Sequence, residues 1–155
     1  MISFSIDHLK KEDIYLEGEE PASFLEVENS DMISFNGNIH YELHASMVSG
    51  GVLVKGSAYG FYEGVCGRCL EKFSGEFGTD SVCLFYDELL GAELDVTEDI
   101  RVAMVLEIPV NCVCSLNCKG LCHKCGANLN KEKCNCKDDD GEDSPWSELS
   151  KLDLK

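Results

Sequence analysis

Seven of the ten cysteines lie between positions 112 and 136, in a stretch almost free of large apolar residues. It reads Cys112-Val-Cys114, then Cys118, Cys122-His-Lys-Cys125-Gly126, and finally Cys134-Asn-Cys136. A segment of this composition cannot fold around a hydrophobic core of its own, so other bonds must hold it.

Which bonds those are depends on the compartment. The first twenty residues turn polar quickly and offer neither an apolar signal core nor a small-residue cleavage site, so export is not expected. No apolar run is long enough to span a membrane, and a cytoplasmic location is the expectation. Reducing compartments rarely keep disulfides, so dense cysteines there point to metal or redox chemistry. Two thiolates two residues apart can meet one ion across a tight turn, as Cys122 and Cys125 would. Gly126 permits the positive φ that such a turn needs. Cys134 and Cys136 lie close enough to complete a set of four. Structural zinc is the leading reading, with an iron–sulfur cluster and disulfides or thiol redox exchange as alternatives.

Cys66 and Cys69 form a second pair, expected at a strand–turn–strand tip. They could join Cys112 and Cys118 across the fold or add ligands to the tail site. Leaving out Cys83 and Cys114 gives eight thiols, or two sets of four. Cys83 alternates within an apolar strand and is expected to be a buried small hydrophobe; Cys114 stays open. His40 and His44 fall on the polar face of a strand, and His123 is expected at the surface.

Periodicity supplies the body. Ile2, Phe4 and Ile6 alternate as a short strand, and Gly18 to Pro21 reads as a turn. Ile39, Tyr41, Leu43, Ala45 and Met47 alternate with polar neighbours, Ser49-Gly50-Gly51 signals a hairpin, and residues 52–65 return. Glycines 56, 60 and 64 suggest bulges or bending. Residues 73–86 resume the pattern. Residues 95–108 read as a well-buried helix with Asp95 and Glu98 as its capping pair, stopped by Pro109. The fold class expected is α+β: an antiparallel sheet that could close toward a barrel, one buried helix and a cysteine-rich zinc lobe folded back near Cys66 and Cys69. The chain divides into residues 1–109, the lobe at 110–137, and an acidic linker with a short helix at 138–155. That helix would start at Ser144-Pro145 and carry a stripe of Trp146, Leu149 and Leu152.

A formal charge of −16 repels phosphate backbones, so the whole chain is not a general nucleic-acid binder. It suits a basic protein partner instead. Locally the sign reverses. Lys119, Lys124, Lys131, Lys133 and Lys137 face a single acid, Glu132, making a candidate RNA or partner contact on the lobe. No acidic pair has the logic of a nuclease, and no catalytic residue is assigned.

Three segments together resemble the YceD (DUF177) family. They are Cys66-Gly-Arg-Cys69-Leu-Glu-Lys-Phe73, the helix ending Leu106-Glu-Ile-Pro109, and the run from Cys118 to Asn130 followed by Cys134 and Cys136. The resemblance covers about residues 20–155 and is most specific in the second half. It implies a ribosome-assembly factor rather than an enzyme, supporting accumulation of large-subunit (23S) ribosomal RNA. Its implied partners are the large-subunit precursor, ribosomal RNA or a basic ribosomal protein, with no membrane and no small-molecule substrate. The cysteines at 66, 69, 112, 118, 122, 125, 134 and 136 fall on the family's pattern, while Cys83 and Cys114 stand as extras. The alternatives are a zinc-stabilised protein-binding module unrelated to ribosomes and a thiol redox protein using Cys66 and Cys69.

Overall fold

The computed structural model describes residues 1–87 and 91–136. Its centre is a pair of long antiparallel strands, β5 (Gly51–Val65) and β6 (Lys72–Tyr86), joined through the Cys66–Glu71 tip. On the other side of β5 lie two strands end to end. β4 (Asn38–Val48) pairs with its first half and β3 (Ile33–Phe35) with its last turn before the tip. β2 (Ile14–Pro21) adds to the far side of β4. The five strands form one curled, half-barrel antiparallel sheet, as the fold class anticipates.

The alternation seen in the sequence sets the register. Ile39, Leu43 and Ala45 of β4 and Val52, Val54 and Ala58 of β5 face one core, with Phe77 and Val82 of β6. The expected hairpin at Ser49-Gly50 is present, with Gly50 at φ 98. A register shift falls between Gly56 and Ala58, where the glycine pattern suggested a bulge. Beside it Gly78 lies against β5, where a Cβ would sit 2.6 Å from the Tyr59 Cα. Backbone cannot retreat as a side-chain tip can. Gly78→Ala is therefore expected to cost about 3 kcal/mol, read as a lowered denaturation midpoint; an unchanged midpoint would show that the two strands can separate there freely.

The open side of the core is closed by the ends of the body. β1 (Ser3–Ser5) pairs with β7 (Glu93–Asp95) in a separate two-stranded sheet, and α2 (Thr97–Leu106) follows directly. Ile2, Phe4, Leu9, Val96, Ile100 and Met104 enter the same core as the sheet residues.

Four local expectations need correction. The alternation from Ile2 to Ile6 does not continue as strand: Ile6 opens a one-turn helix, α1 (Ile6–Leu9), which buries Ile6 and Leu9 together. Gly18 to Pro21 is no turn but the end of β2, since Gly18 leaves room for the Tyr41 ring across the sheet. α2 is buried on one face alone: Ile100 and Met104 are fully inside, whereas Val102 and Leu106 are exposed. Asp95 accepts a hydrogen bond from the Thr97 amide at 2.9 Å, but Glu98 pairs with Arg101 at 2.6 Å and so forms no reciprocal cap. The short helix expected from Ser144 lies outside the described residues.

Candidate metal centre

The tip between β5 and β6 is a tight turn built to present sulfur. Leu70 N–H donates to the Cys66 carbonyl at 2.8 Å, and Cys66 N–H donates to the Glu71 carbonyl at 2.9 Å. Leu70 takes a left-handed φ of 58, an unusual conformation for a branched residue. Cys122 to Gly126 repeats the turn: Gly126 N–H donates to the Cys122 carbonyl at 2.9 Å, with φ 74. The two Cys-x-x-Cys segments thus share one backbone geometry, although only the second carries the glycine it favours.

Each turn gathers four sulfurs. Cys66, Cys69, Cys114 and Cys118 form one group, Cys122, Cys125, Cys134 and Cys136 the other, with all sulfurs of a group within 4.8 Å of one another. Cys66 and Cys118 sulfurs lie 3.8 Å apart, Cys69 and Cys114 sulfurs 3.7 Å. These are not disulfide lengths. Four sulfurs at about 2.3 Å from a central ion stand about 3.8 Å from each other in a tetrahedron. Either group could therefore hold one metal ion.

Between the groups the main chain is fixed to the tip. Leu121 N–H donates to the Arg68 carbonyl at 3.0 Å, and the Arg68 guanidinium donates to the carbonyls of Leu116 and Cys118 at 3.1 and 3.2 Å. Asn130 locks the far end: its Oδ1 accepts from the Lys119 amide at 2.8 Å and its Nδ2 donates to the Cys118 sulfur at 3.3 Å. The first group is mostly buried, with Cys66 fully enclosed, while Cys125 and Cys136 of the second are exposed.

Electrostatics within each group is uneven. Backbone amides of Cys114 and Cys69 pointed at its sulfur lower the Cys66 pKa to about 6. Amides of Cys125 and Lys124 lower that of Cys122 to about 6. Cys114, hydrogen-bonded beside Cys118, is pushed up to about 12, and Cys136, beside Cys125, likewise to about 12. Thiolates this close cannot all ionise without a cation among them. The sign of the pH dependence follows. Near neutrality Cys66 and Cys122 are largely thiolate, but Cys114 and Cys136 keep protons that an incoming ion must expel. Divalent-metal affinity should fall as pH falls, about tenfold per pH unit for each proton expelled, and more steeply below the Cys66 and Cys122 values. Calorimetric titration with zinc in two buffers of different ionisation enthalpy counts those protons; equal affinity at pH 6 and pH 8 would contradict the assignment.

Seven of the eight cysteines picked from the sequence fall in these two groups, together with Cys114. Cys112 stands outside both groups. Its carbonyl accepts from Gly67 N–H at 2.8 Å, and its side chain packs against the hydrophobic core. Cys114, two residues on, lies in the first group. Cys83 is not buried: it lies exposed on β6, opposite Lys55. Lys119, Lys124, Lys131 and Lys133 are all exposed on the lobe, but Lys131 is engaged by Glu71 at 2.8 Å. His40 and His44 are half-exposed and face Glu19 and Asp13, away from either sulfur group. His123 is exposed.

Fold and site together define an antiparallel-sheet protein with a C-terminal lobe carrying paired candidate metal centres. The model of one family, described as large ribosomal RNA subunit accumulation protein YceD, matches residues 86–153, which supports the resemblance read from the helix end and the lobe cysteines and does not extend to the Cys66–Phe73 segment. A chloroplast protein of Arabidopsis thaliana, named large ribosomal RNA subunit accumulation protein YCED homolog 1, is 52% identical over 44 residues, covering 28% of this chain and 14% of that protein. Its namesake from Zea mays is 52% identical over 46 residues, covering 29% and 16%. An uncharacterised protein of Mycobacterium bovis is 31% identical over 106 residues, covering 59% and 51%. The chain thus spans about half the length of the mycobacterial relative and a small part of the plant ones. No solved structure matches it. Among the described residues no helix is long and apolar enough to cross a membrane.

Proposed function

We propose that this protein is a non-enzymatic factor supporting the accumulation of large-subunit (23S) ribosomal RNA, acting in the cytoplasm, with two structural zinc ions in its lobe. The reading is carried by the span of the family match, residues 86–153, which takes in every cysteine of the lobe. The ligands are Cys66, Cys69, Cys114 and Cys118 for one ion and Cys122, Cys125, Cys134 and Cys136 for the other. The division into residues 1–109, 110–137 and 138–155 belongs to the same reading, with the first ion as the joint between body and lobe. The lobe then becomes a rigid surface held at the end of a sheet, suited to dock on a large-subunit precursor through ribosomal RNA or a basic ribosomal protein.

Gradient sedimentation of cell extracts tests it. The intact protein should travel in part with large-subunit precursors, and its deletion should lower 23S relative to 16S ribosomal RNA. Absence from every particle, with unchanged ribosomal RNA, would remove the proposal. The low pKa of Cys66 favours one second reading, thiol redox chemistry at Cys66 and Cys69. Alkylation separates the two: redox thiols react in the protein as purified, whereas zinc-bound thiolates react only after chelation.

A further inference from the structure

The convex side of the sheet, away from the core, carries an ordered set of groups that the lobe does not use. Three residues from each of β2, β4 and β5 meet there in register. Tyr15, His44 and Lys55 make one row; Glu17, Glu42 and Ser57 the next; Glu19, His40 and Tyr59 the third. In the outer rows the rings and carboxylates engage one another, while Lys55 has no ion-pair partner among the described residues. Tyr15 stacks on His44 with ring centres 4.5 Å apart, and His44 meets Asp13 at 3.1 Å. His40 stacks on Tyr59 at 5.2 Å and meets Glu19 at 3.1 Å, and Phe61 abuts Tyr59 edge-on.

The middle row is different. Glu17 and Glu42 are directly opposed, both exposed, and neither has an ion-pair partner among the described residues. Like charges opposed across a sheet destabilise it. The nearest cation on this face is Lys55, one row away and not within ion-pair distance of either. Shallow hollows border the row on both sides, one against Tyr15 and His44, the other against His40 and Tyr59. Tyr15 is 78% exposed and Phe61 49%, and no described element packs over them.

We propose that this face docks an arginine-bearing segment of a basic protein partner. A guanidinium fits where an ammonium does not. It is planar, spans two carboxylate oxygens as a fork, and lies flat on an aromatic ring. Glu17 and Glu42 supply the carboxylates that lack a cation, and the Tyr15 and Tyr59 rings flank them. The acid row repels a phosphate backbone, which sets this face apart from the lysine-bearing lobe. The identity of the partner as basic rests on the ribosome-assembly reading only for its source; the recognition rests on the face.

The test uses the full metal-loaded chain and a fluorescein-labelled twelve-residue peptide with four arginines among glycine and serine, read by anisotropy. Glu17→Gln with Glu42→Gln should weaken binding at least tenfold. The charge-matched pair Glu28→Gln with Glu107→Gln, away from this face, should change it less than twofold. A peptide with lysine in place of arginine should bind several-fold more weakly, and Tyr15→Ala should narrow that gap. Equal losses from both glutamine pairs would reduce the interaction to net charge and overturn the proposal. Preferential binding of a labelled uridine dodecanucleotide that Tyr15→Ala abolishes would assign the face to RNA instead, and self-association lost in Tyr15→Ala would assign it to a second copy. If the Glu17/Glu42 variant loses the peptide yet still sediments with ribosomal precursors, the face is right and the ribosome reading draws on another surface. If it keeps the peptide, the face is wrong whatever the sedimentation.

Discussion

Cys66→Ser is expected to leave one zinc per chain in place of the two proposed for the unaltered protein, and to release residues 111–136 from the end of the sheet. The enclosed sulfur at the tip belongs to the one sulfur group that, among the described residues, joins the body to the lobe, linking positions 45 to 52 residues apart. The contacts that remain there, from Gly67 to Cys112, from Arg68 to the 116–121 segment and from Glu71 to Asn128 and Lys131, are single hydrogen bonds or an exposed ion pair and individually weak. Structural zinc contributes on the order of 10 kcal/mol to small modules, far more than those bonds. Cys122→Ser should also reduce the count to one, but with a different outcome: residues 112–121 stay docked and only 122–136 loosen. Native mass spectrometry gives the counts, and amide spectra give the regions. Two ions retained in Cys66→Ser, or identical spectra for the two variants, would contradict the joint.

Chelation of both ions should separate the lobe from the body more completely still. The large apolar cluster contains none of the eight thiols, whereas Cys66, Cys69 and Cys118 form a small cluster with little apolar packing beyond Phe73 and Val113. Stripped protein is therefore expected to keep its strand signal in circular dichroism and its cooperative melt. Trypsin should meanwhile cut after Lys119, Lys124, Lys131 and Lys133 at least ~100-fold faster, as residues lose local protection. A lobe that resists trypsin equally well without metal would show that the hydrogen bonds around Arg68 and Asn130 suffice, and the zinc assignment would lose its structural purpose.

Much of this arrangement could be read from the residues. Strict alternation located β4, the Ser49-Gly50 turn and the long return strand, because a sheet with one buried face writes its period into the sequence. The placement of Cys66 and Cys69 at a strand tip followed from the same pattern. What failed depended on partners far along the chain. Gly18 looks like a turn residue until Tyr41 is seen filling its space. The helix after Asp95 looks apolar all round, yet only one side of it meets the sheet, and nothing local tells Ile100 from Val102. Cys112 and Cys114 are equivalent on spacing alone. In the folded structure Cys114 lies beside Cys66, Cys69 and Cys118 while Cys112 packs against the core, a difference that exists only once the tip is folded.

The pairing of β1 with β7 joins residues about ninety positions apart, so the body cannot be finished until α2 has been synthesised. The second sulfur group lies wholly beyond it in the chain. All four of its members fall within residues 122–136, and a loop that short closes at little entropic expense. During synthesis, however, the body and all four members of the proximal group precede it, so the proximal site can assemble before the distal one is even made. Refolding of the full-length denatured chain should reverse that order, because the short distal loop needs no finished body whereas the proximal site needs the β5–β6 tip in place.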